Sequence, residues 1–413
     1  MFIRKMEKSK KSILCMIISM LMIVGYGEKN YYEATGIVQN TKIDSSQIVN
    51  IQIGAAGDVM AHSPQLAAQY DSESGEYDFT NNFEKVKTYV EGFDLSLVNL
   101  ETTLSGGEYS SYPKFNTPDS IVGALKDTGF DVVSTINNHS ADTGKTGIIR
   151  TKEVVDNHGL VSIGTRNNTD EKNYEVQEVE GVKIGTMAYS YGEIIDGVKY
   201  LNGLKVEEEL SELTNIFDLK DLDKTFQTIK LTLDEMKSEG TDITLLSIHW
   251  GNEYQREAND FQKKLAQKLC DEGIDIIIGS HPHVVQPFDI LQSQIEESHK
   301  TYCFYSLGNF ISNQRKETIG NTYTADGVIP VITIQKEMKT NTSNIAKVEY
   351  IPTWTNKYFD EVSNKNVYEI LPILNQEHIQ TYDERFRNSL TESFQNTSDI
   401  ITKYNNEIEL YTQ

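Results

Sequence analysis

Cysteine is scarce in this sequence, with only three in 413 residues. Cys15 lies inside an apolar N-terminal stretch, and Cys270 and Cys303 follow much later in the chain. Two cysteines cannot build the disulfide framework of a small secreted domain, so we interpret the later pair as small buried apolar side chains. No cysteine lies near the polar clusters described below, which disfavours a structural tetrahedral zinc site.

Basic residues are also few, because 38 lysines and arginines stand against 61 acidic residues and give a formal net charge of −23. A surface of this sign repels the phosphates of nucleic acid. We therefore predict no nucleic-acid partner, and the acidic balance favours solubility instead.

The sequence lacks an apolar run long enough for a membrane-spanning helix, which needs about 20 residues. Basic residues in positions 1–12 nevertheless precede an apolar run at 13–24, which is the pattern of an export signal. We predict a signal peptide or an uncleaved signal anchor at residues 1–27 and a linker at 28–50. Because positive charges tend to stay inside, the rest of the chain is expected to be extracytoplasmic, either membrane-anchored or secreted.

Several apolar runs of the kind found in buried strands end directly in a side chain that can bind a metal. Helical patterns alternate with these runs, which favours an α/β fold. The carboxyl ends of such strands lie at one edge of a sheet, where open α/β sheets bind ligands. The side chains predicted to meet there are Asp58, Glu101, Asn138, His139, His249, His281 and His283.

The pair His281 and His283 follows the run at 276–278. In extended backbone, residues at i and i+2 point the same way, and Pro282 biases His281 toward that conformation. A less specific interpretation of two polar loop histidines has about even odds for an isolated pair. Aspartates at strand ends also serve as helix caps or in turns. Similar side chains follow several other apolar runs of the chain, and this repetition favours a metal-binding site.

Histidine, carboxylate and amide ligands together suit a pair of divalent cations. Imidazole suits zinc or iron and carboxylate suits manganese, so the metal stays open among Mn, Fe and Zn. Asp142 is placed three residues after His139, where its carboxylate can hydrogen-bond the ring and fix its tautomer.

Six segments of the chain, in this order, resemble the CapA family of capsule or poly-γ-glutamate synthesis proteins, which is related to the calcineurin-like metallophosphoesterases. The segments are GDVMAHSPQ from Gly57, NLETTLSG from Asn99, NNHSADTG from Asn137, HWGNEY from His249, GSHPHVVQPF from Gly279 and YSLGNFI from Tyr305. The resemblance implies a four-layer αββα metallophosphatase-like sandwich over residues 51–335, followed by a C-terminal extension at 336–413.

The resemblance also assigns roles to individual residues. Metal ligands would be Asp58, Glu101, Asn138, His249 and His281, with His283 completing the set. Glu101 would take the bridging position, and His139 would be the proton donor, oriented by Asp142. One departure is that His62 follows Asp58 by four residues, where the phosphoesterases have Asp-x-His. Whether His62 binds a metal is therefore open.

The function implied is that of an exported, membrane-associated CapA-like protein in capsule or poly-γ-glutamate biosynthesis or anchoring. It would be a metal-dependent hydrolase or transferase whose substrate is an anionic polymer such as poly-γ-glutamate, or a phosphoester. Membrane subunits of capsule synthesis are its expected partners. The alternative is a non-catalytic subunit of a polymer-synthesis complex that retains the metallophosphatase fold.

Overall fold

The computed structural model describes residues 48–412 of the chain. The predicted signal at 1–27 and nearly all of the predicted linker lie outside these residues. The first described strand begins at Ile48, three residues before the predicted domain start at 51. Among the described residues, every helix is too short or too polar to cross a membrane.

The strands and helices alternate along most of the chain. The strands are β1 (Ile48–Val59), β2 (Leu95–Leu100), β3 (Val132–Ser134), β4 (Val161–Ile163), β5 (Tyr174–Val179), β6 (Val182–Ile195), β7 (Val198–Leu201), β8 (Leu204–Lys205), β9 (Ile216–Asp218), β10 (Ile243–His249), β11 (Ile276–Ser280), β12 (Phe288–Gln292), β13 (Lys300–Phe304), β14 (Asn309–Ile311), β15 (Asp326–Glu337), β16 (Thr342–Asp360), β17 (Lys365–Pro372) and β18 (Glu409–Leu410). The helices are α1 (Ser63–Gln69), α2 (Thr80–Phe83), α3 (Lys87–Val90), α4 (Ser120–Thr128), α5 (Gly144–Asn157), α6 (Glu208–Ser211), α7 (Leu222–Ser238), α8 (Asp260–Asp271), α9 (Lys316–Ile319), α10 (Gln376–Ile379) and α11 (Glu384–Ile401), with a 3-10 helix at Thr322–Ala325.

The strands form two mixed sheets. The first has the order β17-β16-β15-β1-β2-β3-β4, and β14 and β18 pair with β1 and β16. The second has the order β12-β13-β11-β10-β6-β7-β8, and β5 and β9 pair with β6. Strands β1 to β4 are parallel, and so are β6, β10, β11 and β13. The carboxyl ends of these strands therefore meet at one edge of each sheet.

Alternating side chains explain why the sheets stack. In β1, Ile53 and Ala55 belong to an apolar core shared with residues of the second sheet such as Ile243, whereas Ala56 faces a separate core with helix residues. The other face of the second sheet forms a third core with residues of α7 and α8. Because side chains of a strand point alternately to its two faces, each sheet is covered on both sides. The predicted four-layer αββα sandwich is confirmed.

The C-terminal residues are part of the first sheet. Strand β16 pairs with β15 from Asp326 opposite Trp354 to Glu337 opposite Thr342, and β17 pairs with β16. Polar side chains on the exposed positions of β16 and β17 lower the mean hydropathy there, so the sequence pattern does not reveal β17 or the full length of β16.

Candidate metal centre

The strand ends of the two sheets bring five potential ligands together. Asp58 ends β1, Glu101 follows β2, His249 ends β10, and His281 and His283 follow β11. All five are buried, and both Glu101 and Asp58 are completely inaccessible to solvent. Two groups of donor atoms lie within 4.8 Å of one another: Glu101 with His281 and His283, and Asp58 with Glu101 and His249. Glu101 belongs to both groups, so its carboxylate could be a ligand in either one.

Hydrogen bonds from three chain segments hold the Asp58 carboxylate. Its Oδ1 accepts from Asn99 Nδ2 at 2.8 Å, and its Oδ2 accepts from the backbone N–H of His281 at 3.2 Å. The Oδ2 atom also lies 3.3 Å from His283 Nδ1. These contacts tie the end of β1 to its neighbour β2 and to the second sheet.

His249 is held on both ring nitrogens. Its Nδ1 is 2.8 Å from Ser280 Oγ, and its Nε2 is 2.9 Å from Asn138 Oδ1 and 3.6 Å from Glu101 Oε1. The ring of Tyr191 lies parallel to that of His249, with centroids 6.2 Å apart, and 4.6 Å from the ring centroid of His281. The Asn138 amide oxygen therefore points into the cluster, beside the nitrogen that would bind a metal.

The backbone at His281 and His283 corrects one sequence-based expectation. We predicted extended backbone here, but His281 has φ of 98° and His283 has φ of 57°. The chain turns left-handed at both residues, and the ring centroids end 6.0 Å apart. Such conformations cost about 1–3 kcal/mol each and persist where surrounding contacts hold them. The bond from the His281 N–H to Asp58 is one such contact.

Three buried polar atoms in the cluster have no hydrogen-bond partner among the described residues. They are Oε1 and Oε2 of Glu101 and Nδ1 of His281. Leaving a carboxylate oxygen buried and unpaired is strongly unfavourable. A divalent cation would satisfy these atoms, and a set of imidazoles and carboxylates is the right donor chemistry. The residues present therefore fit the divalent cations that the sequence predicts.

Burial sets the charge state of the cluster. It lowers the pKa of His281 well below the usual value and that of His249 to about 3, so both rings stay neutral, as a ligand must. Burial also raises the pKa of Glu101 well above normal, and the nearby charge of Asp58 adds to the effect. For Asp58, burial alone raises the pKa, but the hydrogen bond with His283 and the charges of His249 and His283 outweigh it and lower the pKa.

His139 lies beside the cluster, directly after Asn138. Its Nδ1 is 2.8 Å from Asp142 Oδ2, which also accepts from the backbone N–H of Phe115 at 2.6 Å. The Phe115 ring packs edge-on against His139. With Nδ1–H donated to the carboxylate, Nε2 of His139 remains for other chemistry.

His62 lies apart from the two ligand groups. Its Nδ1 accepts from the backbone N–H of Asn313 at 3.3 Å, and its ring packs edge-on against Phe115. Burial lowers its pKa to about 4. Among the described residues, neither group of candidate ligands includes His62.

Sequence reasoning missed several residues that shape the site. Asn99 and Ser280 occupy strand positions whose pattern indicates a structural role, and Tyr191 lies in β6 outside the six motifs. Asn202, from the β7–β8 turn, accepts from Asn138 Nδ2 at 3.3 Å. The motif YSLGNFI contained Asn309, but nothing in the motif assigned it a partner.

Asn309 orients His283. Its Oδ1 is 3.0 Å from His283 Nδ1, and its Nδ2 donates to the Thr324 carbonyl at 2.9 Å and to Gln314 Oε1 at 3.1 Å. The contact places the proton of His283 on Nδ1, so Nε2, 3.8 Å from Glu101 Oε1, is the atom left to bind a metal.

We therefore expect Asn309→Ala to weaken metal binding about 10–100-fold, the usual effect of losing a group that orients a ligand. The measurement is a calorimetric titration of the metal-free protein with Mn²⁺ or Zn²⁺. Asn321→Ala is the matched control, because Asn321 caps the nearby 3-10 helix without touching the cluster. Wild-type affinity in Asn309→Ala would show that the contact has no role in metal binding.

The fold and the cluster together define a class: a four-layer α/β sandwich with a candidate divalent-metal centre where its two sheets meet. A sequence profile of the bacterial capsule synthesis protein family PGA_cap matches residues 52–314, and the chain belongs to this family. The predicted family is thereby confirmed.

Two relatives place the chain within the family. It is 25% identical to the capsule biosynthesis protein CapA of Bacillus anthracis over 358 residues, which is 84% of this chain and 77% of the relative. It is 30% identical to the PGA biosynthesis protein CapA of Bacillus subtilis strain 168 over 222 residues, which is 53% of this chain and half of the relative. Among solved structures, it is similar to the calcineurin-like phosphoesterase YfkN of Bacillus subtilis, with a TM-score of 0.42, 17% identity, and coverage of 85% of this chain and 98% of that one.

Proposed function

We propose that this protein is a metal-dependent hydrolase or transferase that acts outside the cytoplasm in making or anchoring a poly-γ-glutamate capsule. The observation that carries the proposal is the position of Glu101, which belongs to both ligand groups and has two buried oxygens without a partner. The family membership supports the link to capsule synthesis.

Six residues of the chain would form the metal site. Asp58, Glu101, His249, His281 and His283, together with the Asn138 amide oxygen, would hold two divalent cations. When bound, such cations supply Lewis-acid polarisation of a phosphoryl or acyl oxygen and a nucleophile from water at neutral pH. An anionic polymer or a phosphoester is the substrate class that a cationic centre of this kind attracts.

His139 supplies the acid. Its Nδ1 proton is held by Asp142, so a second proton on Nε2 would be free to pass to a leaving group. The buried carboxylate stabilises the ring while it carries that charge. This pair is a reason to prefer catalysis over a purely structural use of the metal centre.

The location and partners of the protein are part of the proposal. The basic and apolar pattern of residues 1–27 would export the chain and hold it at the membrane if the segment is retained. Membrane subunits of capsule synthesis would then be within reach of the metal centre.

The test uses the full chain, stripped with a chelator and reloaded with Mn²⁺ or Zn²⁺, against a panel of phosphoesters and γ-glutamyl amides. We expect turnover in the reloaded protein, loss on chelation and recovery on reloading. Glu101→Gln removes the shared carboxylate at constant size and should not recover. A protein that binds metal but turns over no member of the panel, while polymer production in cells survives His139→Ala, would contradict the proposal and favour the non-catalytic subunit.

A further inference from the structure

A cavity lies away from the metal centre, on the side of β15 and β16 that α11 covers. Its volume is about 230 Å³, and its lining includes Asp326, Trp354, Arg315, Lys316, Ser393 and Asn396. Since a buried water needs only about 15 Å³ by the same kind of measure, this space holds a ligand of several heavy atoms. None of the candidate metal ligands lines it.

Asp326 is a buried carboxylate without a counter-ion. It is 3% exposed, and its Oδ2 accepts one hydrogen bond, from Asn396 Nδ2 at 3.2 Å. Within residues 48–412, no lysine or arginine nitrogen comes within ion-pair distance of it. Burial raises the pKa of Asp326 to about 7; neighbouring Ser393, Asn396 and Arg256 lower it, and Glu392 raises it. An ionised carboxylate in this position calls for a cation.

The Ser393 hydroxyl is a second unused group in the same cavity. Ser393 is 1% exposed. It lies close enough to Asp326 to lower the pKa of that carboxyl. Its Oγ nevertheless has no hydrogen-bond partner among the described residues. A buried hydroxyl without a partner is unfavourable. Asp326 and Ser393 therefore present two acceptors that the chain itself does not use fully.

Charge on the lining selects the sign of a ligand. Arg315 is already paired with Glu317 at 3.2 Å and donates to the Thr355 carbonyl at 2.9 Å. Glu392 adds a further carboxylate to the lining. The lining thus carries three carboxylates, Glu317, Asp326 and Glu392, against the two cations Arg315 and Lys316, and a cationic ligand would relieve the burial of Asp326.

The shape of the cavity adds an apolar wall. Trp354 is the cross-strand neighbour of Asp326, so both side chains lie on the same face of the first sheet. A ring beside a buried carboxylate suits a cation that carries a short apolar body.

We propose that this cavity binds a small molecule through a protonated primary amine, with Asp326 as its counter-ion, Ser393 as a further acceptor and Trp354 against its carbon chain. An ammonium group has three N–H donors and so satisfies both acceptors at once. This site is separate from the proposed catalytic function and does not depend on it.

The experiment titrates the full chain with n-propylammonium chloride at pH 8 and constant ionic strength, and follows tryptophan fluorescence. Trp354 is one of only two tryptophans, and the other, Trp250, is buried in the second sheet's core. We expect a saturable change, no such change with propan-1-ol, and at least about tenfold weaker binding in Asp326→Asn, since a hydrogen bond to a charged group is lost. Metal content should be the same in both proteins.

Asp399→Asn is the matched control. Asp399 lies on α11, the helix that carries Ser393, but its side chain accepts a hydrogen bond from Gln395 and does not line the cavity. It should bind as the wild type does. Ser393→Ala is a smaller change that should also weaken binding of n-propylammonium. This variant tests the proposal if Asp326→Asn fails to fold. The absence of saturation in the wild type, or equal binding in the wild type and both cavity variants, would overturn the proposal.

Discussion

Replacing His281 and His283 together by alanine is expected to lower the metal content of the purified protein. Elemental analysis after dialysis should give about two equivalents per chain for the wild type and no more than about one for the double variant, because the group of Asp58, Glu101 and His249 keeps its donors. The reason is geometric: both rings complete the group that contains Glu101, whose oxygens have no other partner. Removing two of its three members leaves too few donors for a stable site.

A matched double variant separates loss of ligands from loss of histidines in general. His299 and His378 are partly buried, and their ring nitrogens hydrogen-bond to backbone atoms, the Ile274 carbonyl and the Leu374 N–H. His299→Ala with His378→Ala should retain the metal. Far-ultraviolet circular dichroism of both proteins checks that the sandwich is intact. Equal metal in the two double variants would place the metal elsewhere.

Replacing His139 by alanine is expected to lower turnover about 10²–10⁴-fold while the metal content stays the same. His139 is not a member of either ligand group, yet its ring is fixed by Asp142 at 2.8 Å. Losing it removes the group that would protonate the leaving group but no ligand. Parallel measurements of turnover and metal content distinguish this effect from that of the double histidine variant.

The choice of substrate sharpens the test. A phosphodiester with a nitrophenolate leaving group needs little protonation, whereas an alkoxide leaving group needs a full proton. The loss in His139→Ala should therefore be much smaller for the nitrophenyl substrate. Asp142→Asn, which keeps a side chain of the same size, should lose activity in the same pattern but to a smaller extent. Equal losses for both substrates would argue against a proton-donor role.

The apolar runs predicted the strands of an α/β fold because their cause is local, whereas the four layers were implied by the family resemblance. Runs such as Ile243–Ile248 are apolar on both faces, and they read as strands that must be covered on both sides. Each run ends where the backbone leaves the sheet, so the positions of Asp58, Glu101 and His249 at one edge followed from the chain order. Strand β17 and the part of β16 after residue 351 could not be recognised in this way, because their exposed positions carry polar residues.

Contacts between distant segments were beyond the reach of sequence reasoning. The turn at His281 and His283 depends on a hydrogen bond to Asp58, 223 residues earlier in the chain. The orientation of His283 depends on Asn309, from a three-residue strand that pairs with β1. The packing of Tyr191 against His249 and His281 requires β6 to lie beside β10, a neighbour relation that no single motif contains.

The centre draws its donors from both layers of strands. Asp58, Glu101 and Asn138 come from the first sheet, and His249, His281 and His283 come from the second. A cation held between them acts as a cross-link, and because the unfolded chain cannot offer this geometry, binding energy becomes folding energy. Without the cation, the buried carboxylates of Asp58 and Glu101 lie close together at the edge of the first sheet. Metal binding and closure of the sandwich would then be coupled, so the metal content of the protein would set its stability.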